Sequence, residues 1–212
     1  MKILNNNNYD FHKNNIDKLI ALFLLIILSP IFIFLALLIF FNFGKPIIFY
    51  HYRAGLNGKP FRLVKFRSMT NECNVDGKLL PPEERLTDFG IFLRSTSLDE
   101  IPSLINVLNG DMSFIGPRPL LLDYISLYSS EQSLRQIVKP GITGLAQING
   151  RNLIPWDERF RLDVKYVKDK SFLLDLKILF KTLWKVLGRK GITPKNKQIM
   201  EAFTGNKNTN QL

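Results

Sequence analysis

The amino-acid sequence predicts an α+β fold, in which an N-terminal membrane helix–break–helix precedes a compact cytoplasmic domain. That domain is predicted to contain a short β-hairpin, several helices and amphipathic helices at the membrane interface. Three observations support this prediction: an uncharged apolar run at residues 19–41, β-branched and aromatic runs at 45–69, and amphipathic periodicity at 171–189. We expect the membrane segment at 1–44, the cytoplasmic domain at 45–194 and a polar, disordered tail at 195–212.

The charge balance indicates an anionic partner. Lys and Arg number 29 against 18 Asp and Glu, which gives a net charge of +11, and nucleic acid, acidic lipid or a phosphorylated substrate would each fit it. The single cysteine, Cys73, excludes an intrachain disulfide. One cysteine and two histidines also argue against a zinc site within the chain, so we expect any metal to be a hard ion such as magnesium.

The apolar run from Leu19 to Phe41 predicts a membrane segment with a break in its middle. A continuous helix of these 23 residues would be about 35 Å long, enough to cross a bilayer core of roughly 30 Å. Pro30 removes a backbone donor and obstructs the carbonyl of Ile26, whereas the Ser29 hydroxyl can satisfy a freed carbonyl. A re-entrant hairpin and a kinked spanning helix both fit these residues. The cations of residues 42–71, which contain no acid, place that side in the cytoplasm.

The basic segment that follows predicts a β-hairpin with its turn at Asn57-Gly58. Its second strand, FRLVKF, does not alternate cleanly between polar and apolar residues. Three interpretations stay open from these residues alone. They are a surface for single-stranded RNA, a polybasic surface for anionic headgroups, and a phosphate site that uses a few of the cations.

Two adjacent carboxylates, Asp99 and Glu100, lie near the start of the stretch TSLDEIPSLINVLNGDMSFIGPRPL. The spacing from Ser97 to Glu100 fits a capping box, with Asp99 as an alternative cap, so both carboxylates are predicted at a helix N-terminus. The helix dipole there favours the ionised form. Either the pair only starts a helix, or Asp99 is an exposed, ionised nucleophile or magnesium ligand.

Two further motifs suggest phosphate binding. Pro117 and Pro119 restrict the backbone on both sides of Arg118, which pre-orders its guanidinium for bidentate contact with phosphate; a simple surface turn is the alternative. The segment KPGITGLAQINGRN, residues 139–152, is interpreted as a glycine-punctuated loop that supplies backbone donors and Arg151.

The amphipathic helix predicted at residues 171–189 fits either the membrane surface or the domain core. The membrane segment near the N-terminus favours the membrane surface.

In combination, these motifs resemble those of the small monotopic phosphoglycosyl transferases of the bacterial sugar transferase family. The resemblance runs from about Asn15 to Gly191 and rests on several long motifs in the same order. They are the Ser29-Pro30 break, RAGLNGKPFRLVKFRSM, RSTSLDEIPSLINVLNGDMSFIGPRPLL, KPGITGLAQINGRN and LDVKYV. Within the family, the length and the NGRN…W stretch are most similar to the undecaprenyl-phosphate diacetylbacillosamine 1-phosphate transferases.

The resemblance implies a reaction and its site. Such enzymes transfer a sugar 1-phosphate from a UDP-sugar to undecaprenyl phosphate and release UMP, at the cytoplasmic face of the bacterial inner membrane, in the first membrane step of glycoconjugate assembly. By this resemblance Asp99 attacks the β-phosphate and helps to hold Mg²⁺, Glu100 assists it, and Ser29-Pro30 forms a re-entrant hairpin. Phosphates would be bound by Arg94, Arg118, Arg151 and Lys65.

The resemblance also implies partners. The expected donor is UDP-diacetylbacillosamine, which is used in protein glycosylation, and the acceptor is undecaprenyl phosphate. Inner-membrane lipids would surround the enzyme, and downstream glycosyltransferases are candidate partners. Nucleic acid is not expected.

Two alternatives remain open. A membrane-tethered basic protein that binds RNA or acidic lipid would account for the charge and the aromatic residues, but not for the carboxylate pair beside a proline-flanked arginine. A transferase without a covalent intermediate would instead use Glu100 to activate the polyprenyl phosphate for direct attack. Magnesium-dependent UMP release would exclude the first alternative, and labelled phosphosugar trapped on Asp99 would exclude the second.

Overall fold

The structure is a computed structural model that describes residues 7–150, 154–188 and 202–205. It is mixed α and β and mostly helical, with a small antiparallel sheet, in agreement with the predicted class at this level. The helices are α1 (Asn7–Ile27), α2 (Ser29–Phe43), α3 (Pro82–Arg85), α4 (Asp88–Ser95), α5 (Leu104–Asn109), α6 (Leu145–Asn149), α7 (Trp156–Asp169) and α8 (Phe172–Leu187). The strands are β1 (Ile48–Ala54), β2 (Pro60–Phe66), β3 (Ser113–Ile115) and β4 (Gly141–Thr143). Short 3₁₀-helices occupy Leu56–Gly58, Leu98–Ser103, Leu122–Leu127 and Gln132–Ile137.

The N-terminal helix is broken at Ser29-Pro30, the position expected from the sequence. The helices Asn8–Ile27 and Ser29–Phe43 are bent by 64° relative to each other. The Ser29 hydroxyl donates to the Ile26 carbonyl at 2.8 Å, which is the carbonyl that Pro30 cannot bond. Taken singly, none of the helices in the described ranges is long and apolar enough to cross a membrane; the bent pair passes that test of length and composition only when its halves are combined.

Most apolar side chains of the bent pair face outward. Within the apolar run only Ala21, Leu35 and Ile39 are buried. Contiguous apolar surface of this extent marks contact with lipid or protein. The exposed apolar residues are Leu19, Ile20, Leu22, Phe23, Ile26, Ile27, Ile31, Ile33, Phe34, Leu37, Phe40 and Phe41.

The polar half of α1 is attached to the rest of the domain. The carboxylate of Asp17, which is 7% exposed, accepts a hydrogen bond from the Ser113 hydroxyl at 2.6 Å. The Tyr9 hydroxyl donates to Asp175 on α8 at 2.7 Å. These buried and half-buried bonds fix the direction in which α1 leaves the domain.

Strands β1 and β2 form the predicted antiparallel hairpin, in which Ile48 pairs with Phe66. Between them Asn57 has φ 55° and Gly58 has φ 73°. Both values lie in the left-handed region, which glycine and asparagine tolerate. The predicted turn at Asn57-Gly58 is therefore confirmed.

Residues 139–152 were expected to form a loop, and that prediction is wrong, because they contain β4 and α6. Strand β4 pairs in parallel with β3. A Cβ atom at Gly141 would lie 2.1 Å from the Gly116 nitrogen, and one at Gly144 would lie 2.1 Å from the Gly116 oxygen. The glycines are needed for this close backbone packing, which no local pattern could reveal because a parallel pair joins distant segments.

Helix α8 packs one of its faces against the core of the domain. Ile178 is fully buried, and the buried Asp175 accepts a hydrogen bond from the Tyr166 hydroxyl at 2.8 Å. The opposite apolar face is exposed, as in helices that lie in a membrane surface. Its exposed side chains are Phe172, Leu173, Leu179, Phe180, Leu183 and Trp184.

The tail was expected to be disordered, and for residues 202–205 that expectation is wrong. Phe203 is 5% exposed and packs in one cluster with Leu120 and Phe160. A single aromatic residue in a polar segment has no periodicity, so the sequence gives no sign of this packing.

Candidate active site

The two predicted carboxylates lie in the 3₁₀-helix Leu98–Ser103, directly before α5. Ser97 has φ 59° and its side chain makes no capping hydrogen bond, so the predicted capping box is wrong. The Glu100 carboxylate is instead drawn to the cations of Lys65 and Arg118, with which it forms ion pairs. Asp99 is 8% exposed, which corrects the expectation of an exposed carboxylate.

Strand β2 holds the carboxylate segment in place. The Ser103 hydroxyl donates to the Val64 carbonyl at 2.8 Å. The side chain of Asn106, on α5, accepts from the Val64 amide at 2.9 Å and donates to the Arg62 carbonyl at 2.8 Å. Because Ser103 and Asn106 are almost fully buried, these bonds are shielded from water and fix the position of both carboxylates.

Glu100 is an ionised anchor for two cations. Its Oε1 lies 2.5 Å from Lys65 Nζ and 3.1 Å from an Arg118 Nη atom. Burial alone would raise the pKa of Glu100, but the charges of Lys65 and Arg118 outweigh burial and lower that pKa to about 2. The same contact raises the pKa of Arg118. Glu100 therefore stays ionised and orients the two cations towards Asp99.

Asp99 differs from Glu100 in the direction of its pKa shift and in its contacts. Burial, helped by the negative charge of Glu100, raises its pKa to about 6, although Lys65 and Arg94 act in the opposite direction. No residue in the described part of the chain gives its carboxylate a hydrogen bond or an ion pair. Asp99 is thus a carboxylate that is ionised at neutral pH and poorly solvated, which is the condition of a reactive nucleophile.

Arg94 and Arg118 reach the same place from different elements. Arg94, on α4, donates from Nε to the Ser68 hydroxyl at 3.0 Å, and burial lowers its pKa. Arg118 lies between its two prolines, and its carbonyl accepts a hydrogen bond from Arg135 at 2.6 Å. Because one Nη atom of Arg118 contacts Glu100, the rest of the fork is available to an anion.

The carboxylates and cations line one cleft with a volume of about 570 Å³. Of the predicted site residues, the cleft brings together Asp99, Glu100, Lys65, Arg94 and Arg118. Arg151 lies outside the described residues. Of the cations of the cleft that were not among the predicted site residues, two come from the basic hairpin segment, one comes from the amphipathic helix α8, and two had no local signal. They are Arg53, Arg67, Arg85, Arg159 and Lys185.

The described residues contain no group of three or more His, Cys, Asp or Glu side chains that could hold a metal ion by themselves. Magnesium does not require such a group, since it commonly binds one or two carboxylates and completes its shell with water and substrate phosphates. Asp99 fits this role because its carboxylate is unpartnered within the cleft. Glu100 fits it less well, because Lys65 and Arg118 already occupy it.

Comparison with known proteins places the chain in a family. The chain matches the bacterial sugar transferase family model over residues 8–189. It is 52% identical over 193 residues to the "Uncharacterized sugar transferase EpsL" of Bacillus subtilis, with 91% of this chain and 96% of that protein covered.

Two longer relatives have names that state a reaction. The chain is 42% identical over 179 residues to the "UDP-glucose:undecaprenyl-phosphate glucose-1-phosphate transferase" of Klebsiella pneumoniae, with 80% of this chain and 38% of that protein covered. It is 40% identical over 198 residues to the "Undecaprenyl-phosphate galactose phosphotransferase" of Salmonella typhimurium, with 85% and 41% covered. The family match includes every residue of the cleft. This chain therefore belongs to the bacterial sugar transferase family.

Proposed function

We propose that this protein transfers a sugar 1-phosphate from a UDP-sugar to undecaprenyl phosphate and releases UMP, with Asp99 as the covalent nucleophile. The observation that carries the proposal is the unpartnered, buried carboxylate of Asp99 in a cleft where Lys and Arg side chains outnumber the carboxylates. Such a cleft suits a substrate with several phosphate charges. The reactions named for the two longer relatives agree with this substrate class.

The proposed reaction has two displacements at one phosphorus atom. In the first, an Asp99 oxygen bonds to the β-phosphorus of the donor, and the bond from that phosphorus to the bridging oxygen breaks, so that UMP leaves. In the second, a phosphate oxygen of the acceptor bonds to the same phosphorus and the bond to Asp99 breaks. Covalent catalysis divides one difficult displacement into two easier ones.

The state of Glu100 favours this route over direct attack. A general base must accept a proton near the operating pH. Because its pKa is about 2 and its carboxylate is paired with Lys65 and Arg118, Glu100 is a weak base. Its contribution is to hold the two cations beside the phosphates.

The remaining groups neutralise charge. Lys65, Arg94 and Arg118 would bind the phosphates of the donor, and Arg118 has the pre-ordered fork for bidentate contact. Asp99 and the donor phosphates would hold a magnesium ion, which would supply charge neutralisation at the donor diphosphate as UMP leaves.

We place the enzyme in the cytoplasmic membrane with its cleft on the cytoplasmic side. The exposed apolar surfaces of α1, α2 and α8 support this placement, because a polyprenyl acceptor is confined to the bilayer. Helix α2 packs against Phe66 and Leu93, on the elements that carry Lys65 and Arg94, so the apolar surface and the cleft are close in the fold. We propose that the bent helix pair enters the membrane and leaves it on the same side.

The donor is tested by measuring UMP release from detergent-purified protein with undecaprenyl phosphate and magnesium. We propose UDP-diacetylbacillosamine as donor, and UDP-glucose and UDP-galactose belong in the panel because relatives carry those sugars in their names. We expect release with one donor and its loss when magnesium is chelated. Folded protein that neither releases UMP nor binds any of the donors would refute the proposed function.

The re-entrant arrangement predicts that the two ends of the bent pair lie on the same membrane face. Asn15 is exposed on α1, four residues before the apolar run begins, and the exposed Cys73 follows the hairpin. An Asn15→Cys variant in a Cys73→Ser background, and the native protein as reference, are treated with a membrane-impermeant maleimide. We expect both thiols to react in inverted vesicles and neither to react in right-side-out vesicles. Labelling of the Asn15→Cys variant only from the opposite face would show a spanning helix instead.

A further inference from the structure

The described C-terminal segment, residues 202–205, is anchored by one aromatic side chain. The ring centroid of Phe203 lies 5.0 Å from that of Phe160, 5.4 Å from that of Trp156 and 5.7 Å from that of Tyr124. The Phe203 amide donates to the Tyr124 hydroxyl at 3.1 Å. Phe203 is 5% exposed, whereas its neighbour Thr204 is exposed. Phe160 and Tyr124 meet the Phe203 ring edge-to-face and Trp156 meets it at a tilt, which together form a specific packing site for this side chain.

Phe203, Phe160, Trp156 and Tyr124 form an aromatic cluster with Leu120. Trp156 is the first connection from this aromatic cluster to the cleft. The guanidinium of Arg159 lies 4.9 Å from the Trp156 ring centroid, in the geometry of a cation–π contact. Arg159 is 5% exposed and lines the cleft. Burial and the nearby charge of Arg118 lower its pKa to about 10, so Arg159 remains cationic at neutral pH. The Trp156 ring is therefore one of the contacts that orient Arg159, and Phe203 packs against this ring.

The second connection runs through Leu120, which belongs to the same cluster as Phe203. Leu120 follows Arg118 by two residues, and its carbonyl accepts a hydrogen bond from the Ala54 amide at 3.0 Å. The side chain of Leu120 thus fixes one end of the short, proline-restricted segment that carries Arg118. Packing in the aromatic cluster therefore also helps to hold Arg118 in position.

We infer that Phe203 is a positioning residue, which holds Arg118 and Arg159 at the separation required to bind the phosphates of the donor. The inference rests on the proposed function for the identity of the ligand and adds a role for the C-terminal segment. Phe203 itself does not line the cleft. Its effect is transmitted by Trp156 to one arginine and by Leu120 to the other, and small displacements of binding groups have large effects on phosphate recognition.

The test compares Phe203→Ala with two other variants of the full chain. Thr204→Ala changes an exposed residue of the same segment and is the matched control, and Phe203→Leu restores part of the apolar volume. The KM for the UDP-sugar and kcat are measured by UMP release. In parallel, a Trp184→Phe background leaves Trp156 as the single tryptophan, so its fluorescence reports the cluster and the binding of UDP.

We expect Phe203→Ala to raise the donor KM by about tenfold or more, with a much smaller change in kcat, and to shift the emission of Trp156. Phe203→Leu should recover most of the KM, and Thr204→Ala should match the native protein. Unchanged KM in Phe203→Ala, or a fall in kcat alone, would overturn the inference. A native protein that neither releases UMP nor binds UDP would instead contradict the proposed function, so the two failures are distinguishable.

Discussion

Replacement of Asp99 by asparagine is expected to lower UMP release by at least about 10³-fold, because the amide cannot form the covalent intermediate. The same change should abolish the capture of labelled phosphosugar on the protein. The measurement is acid-quenched incubation with a donor labelled in its β-phosphate, followed by UMP determination in parallel. Full transferase activity in Asp99→Asn would refute the covalent mechanism.

A stability measurement separates loss of chemistry from loss of structure. In the fold the pKa of Asp99 rises from the usual 3.8 to about 6, so the fold favours the protonated form and ionisation destabilises it. That destabilisation is absent below pH 4, grows between pH 4 and 6 and is complete above pH 6, where it amounts to roughly 3 kcal/mol at most. We therefore expect inactive Asp99→Asn to be more stable than the native protein at pH 8 and equally stable at pH 4. A variant that is less stable at pH 8 would contradict the described electrostatics.

Replacement of Arg135 by leucine is expected to destabilise the fold by about 3–5 kcal/mol, because it leaves the carboxylate of Asp163 buried without its partner. Arg135 is 4% and Asp163 1% exposed. Two nitrogen atoms of Arg135 lie 3.0 and 2.9 Å from one oxygen of Asp163. Burial raises the pKa of Asp163, although the charge of Arg135 opposes that rise. Urea denaturation in detergent gives the free energy of unfolding.

Two further variants serve as controls: one breaks an exposed ion pair, and the other removes both partners of the buried pair. Arg161 forms an ion pair with Glu158 on the exposed face of α7, so Arg161→Leu should leave stability nearly unchanged. The double variant Arg135→Leu/Asp163→Leu removes both charges and should recover most of the lost stability. If Arg135→Leu costs no more than Arg161→Leu, the buried pair is not important for the fold.

Arg135→Leu should also weaken binding of the donor in the candidate active site. Arg135 donates to the carbonyl of Arg118 at 2.6 Å, so its loss frees one side of the proline-restricted segment. At a temperature where the variant remains folded, the donor KM should rise, because Arg118 is held less firmly beside Glu100.

The sequence predicted the features that depend on neighbouring residues. The break at Ser29-Pro30 follows from the missing donor of proline, and the hairpin turn follows from the left-handed preference of Asn57 and Gly58. Arg118 was selected because two prolines restrict its backbone, which is also local. The capping box failed because the local pattern competes with partners from elsewhere: Lys65 and Arg118 lie 35 and 18 residues from Glu100.

The sequence by itself thus determined the apolar run with its break, the hairpin and the pair of candidate carboxylates. Only the tertiary structure decided that Asp99 and Glu100 have opposite pKa shifts, that Arg53, Arg85 and Arg159 join the cleft, and that Phe203 packs behind it. The physical reason is that ionisation depends on burial and on charges within a few ångströms. Both are set by segments that are distant in the chain, so they exist only once the chain has folded.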